Sequence, residues 1–139
     1  MLRCASDADI AFLNQLAPVS DLRVLRAQIR EGRLLVIEDS GEAAGFIKFY
    51  VLWETLPFIE VIVVHEDLRG RGIGRSAVRF WEREMAKRAH SRAVISTQAN
   101  ESAQGFWRRI GYRHAAISNS RASRRSSSCF AIRVSHESA

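Results

Sequence analysis

The eight residues from Arg69 to Ser76, RGRGIGRS, set three glycines and three arginines between an apolar run and an amphipathic one. Such a turn offers bare backbone and positive charge together. Where a helix begins, its first N–H groups have no partner within it and the positive end of its dipole faces outward. Glycine lets a ligand come close to that backbone. The combination suits a phosphate or pyrophosphate; the alternative is a solvated basic turn that only caps a helix. A second residue also invites chemistry. Glu60 stands in FIEVIVV, an otherwise apolar strand-like run, so its carboxylate is either at a solvated strand mouth or in a pocket. By strict alternation it shares a face with Ile62 and Val64.

Spacing removes two phosphate loops. A P-loop needs four residues between its glycines and then Lys with Ser or Thr, whereas Gly70 and Gly74 enclose three and Arg75 follows. A dinucleotide fingerprint needs G-x-G-x-x-G after the first strand of a βαβ unit. Here Gly70, Gly72 and Gly74 give G-x-G-x-G after a meander. R-x-x-G-x-G remains, met by Arg69, Gly72 and Gly74 after a strand and opening a helix.

The elements that must position these residues follow from periodicity. Residues 2 to 5 read as a short strand. DADIAFLNQL reads as a helix capped by Asp7, and VSDLRVLRAQIREG as one capped by Ser20 or Asp21 and ended by Gly32. RLLVIED, FIKFYVLW and FIEVIVV alternate as strands, with SGEAAG as a turn. Their short connections imply antiparallel pairing. Residues 73 to 89 form a long helix with Ala77, Val78, Trp81 and Met85 on one stripe. RAVISTQ is a strand, and NESAQGFWRRIG a short helix capped by Asn100 and ended by Gly111. Gly105 inside that helix costs up to about 1 kcal/mol against alanine, so packing must hold it. YRHAAIS and SCFAIRV close the chain as strands around the arginine-rich loop NSRASRRSS.

The 139 residues, 47% apolar and 26% charged, read as one globular domain spanning 1–139. No apolar run nears the roughly 20 residues that span a bilayer. The first residues are broken by Asp7 and Asp9 and do not resemble a secretory signal. Cys4 and Cys129 are read as reduced core thiols of a cytoplasmic protein. His65, His90, His114 and His136 have no ligand spacing, so no metal is expected. A net charge of +6 favours polyanionic partners. Nucleic acid is the weaker choice, because NSRASRRSS lacks interleaved aromatics and reads as a solvated hairpin connection.

VVHEDLRGRGIGRSAV resembles the cofactor loop of the GCN5-related N-acetyltransferase (GNAT) superfamily, whose members use acetyl-coenzyme A. NESAQGFWRRIGYR is similar to that family's second signature: an Asn, a short helix ending in an aromatic, three residues, then Gly-aromatic. Both occur in the family's order. The resemblance implies an α/β (α+β type) fold, a mixed, mostly antiparallel seven-stranded sheet with helices on both faces. It also implies a V-shaped splay between the fourth and fifth strands that admits the pantetheine arm. The backbone of Ile62, Val63 and Val64 would hold the pantetheine and thioester. Arg69, Gly70, Arg71, Gly72, Ile73, Gly74, Arg75 and Ser76 would cradle the pyrophosphate. Asn100, Ser102 and Trp107 would also touch the cofactor.

The implied activity is acetyl transfer from acetyl-CoA to a small-molecule or peptide amine, by direct attack in a ternary complex. Glu60 would be the base, with Glu54 as second candidate, and Trp53 and Glu54 would meet the acceptor. Trp107 departs from the family pattern, where many members place a tyrosine to protonate the departing thiolate. Indole has no proton to give at a useful pKa, but a thiol of pKa about 8.5 leaves readily. A non-catalytic acyl-CoA-binding module and a basic nucleic-acid-binding domain are the alternatives. No membrane association is expected, and a homodimer stays open.

Overall fold

The computed structural model describes residues 1–98, 101–114 and 128–134. Alternating apolar residues and tight turns build an antiparallel meander. β1 (Leu2–Cys4) pairs with β2 (Leu34–Asp39), β2 with β3 (Glu42–Leu52), and β3 with β4 (Leu56–Val64). Ser40 and Gly41, between β2 and β3, and Trp53 and Glu54, between β3 and β4, all have positive φ. That left-handed pair matches the right-handed twist of hairpin strands. The expected SGEAAG turn therefore needs only Ser40 and Gly41, and β3 begins at Glu42.

β5 (Arg92–Gln98) lies parallel to β4, β7 (Ser128–Val134) antiparallel to β5, and β6 (Arg113–His114) antiparallel to β7. The mixed sheet runs β1-β2-β3-β4-β5-β7-β6. Because successive strand residues face opposite ways, the sheet feeds two cores. On one face Leu13 of α1 (Ile10–Leu16) and Leu25 of α2 (Leu22–Arg30) meet Leu34, Val36 and Phe46. On the other, Ala77, Val78, Trp81 and Met85 of α3 (Ile73–Lys87) meet Ile37, Ile47, Phe49 and Ile59. Trp81 is fully buried and meets Phe49 edge-on at 5.9 Å. Trp107 of α4 (Glu101–Arg109) joins this second core with Ile110 and Tyr112. It packs edge-on between Phe106 at 5.0 Å and Tyr112 at 5.1 Å.

Local expectations are corrected at the amino end. Cys4 is exposed, because it closes a three-residue edge strand instead of entering a core. Asp7 does not cap the first helix. A 3-10 turn, Asp7–Asp9, precedes α1, and Asp9 is the carboxylate that closes it, accepting from the Ser6 N–H at 2.8 Å. Asp21 does cap α2, accepting from the Arg23 N–H at 2.9 Å. Asn100 and the loop from 119 to 127 lie outside the described residues.

Candidate active site

Glu60 sits on a β-bulge. Val61 faces Lys48 and Ile59 faces Phe49, so Glu60 has no counterpart on β3. Two residues of a bulged strand then oppose one on its partner, and strict alternation breaks. Ile59 packs in the α3 core and so do Ile62 and Val64, whereas Val61 and Val63 pack with the α1–α2 core. Lys48 alternates with Ile47 and shares the α1–α2 face with Phe46. Its Nζ lies 3.3 Å from Glu60 Oε2. Glu60 is therefore turned toward the α1–α2 face, not the face of Ile62 and Val64. Oε2 is buried in that ion pair without forming a hydrogen bond.

Beyond the bulge the sheet opens. β4 and β5 pair only at Phe58 with Val94 and Ile59 with Ile95. Residues 60 to 64 continue β4 with no strand partner on that side among the described residues. The His65 N–H donates to Ala44 across the ladder at 2.7 Å. In an antiparallel pair only alternate residues exchange such bonds. Val61 and Val63 hence direct their N–H and C=O groups to β3, while Ile62 and Val64 direct theirs to the open side. The Val64 carbonyl accepts from Arg69 Nε at 3.2 Å, which ties the glycine turn to the strand end.

The turn then delivers the start of α3. Gly70 and Gly72 take φ of 80° and 76°, and left-handed Gly72 is the cap of α3. No side chain caps it, and Ser76 is the first residue whose N–H bonds back, to the Gly72 carbonyl at 3.0 Å. The N–H groups of Ile73, Gly74 and Arg75 are left facing outward, the donor set an anion needs. Gly74 has ordinary helical backbone; a Cβ there would meet Phe106 at 3.5 Å and Val64 at 3.6 Å.

These parts enclose a cleft of about 770 Å³. Glu60, Ile62, Val63, Val64, Arg69, Gly70, Gly72, Ile73, Gly74, Arg75 and Trp107 line it. Arg71 and Ser76 do not, being exposed beside it. Ser102 lies on α4, its side chain outside the described residues as Asn100 is altogether. Trp53 and Glu54 stand at the β3–β4 turn, where β4 begins, and are not part of the cleft wall. Phe106 and Arg109, absent from the sequence reading, complete the wall with Val61, Leu68 and Ile110. Their sequence signal is faint, a side chain one position before and another two after Trp107 on the same helix. Among the described residues, Glu60 is the sole carboxylate of the lining, against three guanidinium groups, Arg69, Arg75 and Arg109. The cleft thus gathers guanidinium groups and the uncapped start of α3 beside the bulged strand that carries the Glu60 carboxylate.

Residues 7–112 match the acetyltransferase (GNAT) family. Among solved structures, Ard1 from Thermoplasma volcanium is 19% identical with a TM-score of 0.81, covering 99% of this chain and 98% of its own. N-acetylglutamate synthase from Neisseria gonorrhoeae, complexed with coenzyme A and N-acetyl-glutamate, is 17% identical with a TM-score of 0.79; the match covers 98% of this chain and 35% of the synthase. PaiA N-acetyltransferase from Thermoplasma acidophilum, in complex with coenzyme A, is 13% identical with a TM-score of 0.72 over 97% of this chain and 98% of its own. No curated protein matches by sequence. At these identities the structures establish the fold.

Proposed function

The chain belongs to the acetyltransferase (GNAT) family, and from that membership we propose that it is an N-acetyltransferase taking acetyl-coenzyme A as donor and a primary amine as acceptor, acting in a ternary complex. The observation that carries the reading is the interrupted β4–β5 ladder, whose open side ends at the bare amino end of α3. Free strand groups suit a pantetheine amide, and free helix N–H groups suit a pyrophosphate, so the residues present fit the cofactor. When bound, acetyl-coenzyme A supplies an acetyl thioester. The Ile62 and Val64 N–H groups are the donors available to its carbonyl oxygen, where negative charge builds during attack.

A lysine-like amine of pKa about 10.4 must lose a proton before it attacks. Glu60 is the base, with its bulge presenting the carboxylate on the α1–α2 face, from which the acceptor enters. The new C–N bond forms as the C–S bond breaks. The amine proton passes to Glu60, and coenzyme A leaves as thiolate. Trp107, 5% exposed and held edge-on between two rings, serves as a wall beside the pantetheine and takes no part in proton transfer. Glu54 at the hairpin turn is left to contact only an extended acceptor, as is Trp53. The proposal covers residues 1–139 as one catalytic domain in a cytoplasmic setting; no described helix is long and apolar enough to cross a membrane.

The test is thiol release from acetyl-coenzyme A with a panel of amines: amino acids, polyamines, aminoglycosides and peptides. Amine-dependent turnover at Glu60-dependent rates supports the reading. Tight coenzyme A binding with no turnover of any amine would make the chain a non-catalytic acyl-CoA-binding module.

A further inference from the structure

Lys48 stands in the middle of the sheet, paired with Leu34 on one side and with Val61 on the other. Both ladders fix its backbone, and its Nζ reaches Glu60 Oε2 at 3.3 Å. Glu60 is its sole ion-pair partner among the described residues. Arg33, just before Leu34, is engaged elsewhere. Its Nε lies 2.9 Å from Glu31 Oε2, and its guanidinium rests 4.4 Å over the Tyr50 ring. The Lys48 and Glu60 side chains are 21% and 38% exposed, so an incoming molecule can reach both. Lys48 is not part of the cleft wall that Arg69 and Arg75 share; its charge lies on the α1–α2 side.

The pair presents opposite charges side by side to whatever enters from that side. A polyamine or an aminoglycoside is attracted by Glu60 and repelled by Lys48, so its extra positive charges gain nothing here. A zwitterion satisfies both, with its ammonium at Glu60 and its carboxylate at Lys48. The match improves as the reaction proceeds. The acceptor ammonium gives one proton to Glu60, whose carboxyl becomes neutral, and the freed lone pair attacks the thioester carbon. Lys48 then lacks a counter-charge unless the acceptor brings one, and an uncompensated charge away from water is unfavourable. Resting on the reading of Glu60 as base, we propose that Lys48 determines acceptor specificity, selecting amines with a carboxylate beside the reacting nitrogen, the chemistry of a free α-amino acid.

The test compares kcat/KM for α-amino acids and for their α-carboxamides, which keep the amine and the side chain but lose the carboxylate. The two amines differ in intrinsic reactivity, so the acid-to-amide ratio is compared between wild type and Lys48→Met, where that difference cancels. The wild-type ratio is expected to exceed the Lys48→Met ratio by about ten- to a hundredfold, the range of a charge-assisted contact. Lys48→Arg should keep most of the wild-type ratio. Lys48→Glu should fall below Lys48→Met and gain relative rate with polyamines. Dipeptides beginning with the same residue should behave as the amides do. Equal losses for acid and amide in Lys48→Met would reduce Lys48 to a support for Glu60 and overturn the proposal, as would an unchanged ratio. In either case amine-dependent turnover by the wild type leaves the acetyltransferase reading intact. Failure of the wild type to turn over any amine overturns both.

Discussion

Glu60 Oε2 and Lys48 Nζ face each other at 3.3 Å across a bulge that leaves Glu60 without a partner on β3. Glu60→Gln keeps the shape of this arrangement and removes the base. Turnover at neutral pH should fall by about 100-fold or more. The deficit should shrink as pH climbs toward the amine's own pKa, because more acceptor is then already neutral. Stability should change by less than about 1 kcal/mol, since a partly exposed ion pair contributes little. Wild-type rates at neutral pH would remove Glu60 from the base role.

Gly45 pairs with Val64 at the open end of β4. A Cβ there would overlap the Val63 carbonyl oxygen and stand 2.9 Å from Val64 Cα, backbone that has no side-chain freedom to yield. Gly45→Ala should therefore shift the end of β4 and destabilise by roughly 1–3 kcal/mol, the range of core overpacking. Coenzyme A affinity should fall with it. Unchanged denaturant midpoint and affinity would show that β4 is not held this closely.

Gly72 and Gly74 sit two residues apart with different duties. Gly72→Ala forces alanine into the left-handed region at φ 76°, at a cost of roughly 1–2 kcal/mol. Gly74→Ala meets only ordinary contacts to Phe106 and Val64, and helix propensity favours it by up to about 1 kcal/mol. Thermal unfolding of the pair should separate in opposite directions. Equal losses would mean that Gly74 also answers a backbone need.

Asp9 accepts from both Arg3 Nη groups at 2.8 Å and from the Ser6 N–H at 2.8 Å. The Arg3 bonds, outweighing the opposing effect of burial, lower its pKa from 3.8 to about 2. A depressed carboxyl stabilises the fold above its unfolded pKa and loses that contribution as pH falls through the folded one. About 2 kcal/mol of stability should be present above pH about 4 and lost toward pH about 2. Urea unfolding across this window should show the slope in wild type and a flatter profile in Asp9→Asn. Equal slopes would place the acid sensitivity elsewhere.

Much of this protein is written locally. The α3 stripe of Ala77, Val78, Trp81 and Met85 is buried as its 3.6-residue spacing requires. The glycine turn opens a helix with left-handed Gly70 and Gly72, which only their missing Cβ atoms make easy. Such features depend on neighbours within a few residues, so sequence alone determined them. The tertiary structure decided the rest, because each remaining feature is a relation between segments far apart in the chain. The bulge that turns Glu60 to the other face is a mismatch between β3 and β4, invisible in either strand alone. The close approach that demands Gly45 is set by β4's backbone, and Arg69 finds the Val64 carbonyl only once the turn has folded back. Arg109 is one of two adjacent arginines in NESAQGFWRRIG, and only the packing of α4 through Trp107 and Ile110 carries it, and not Arg108, to the cleft wall. Periodicity tells which side of an element is apolar; only packing tells what stands opposite the polar side.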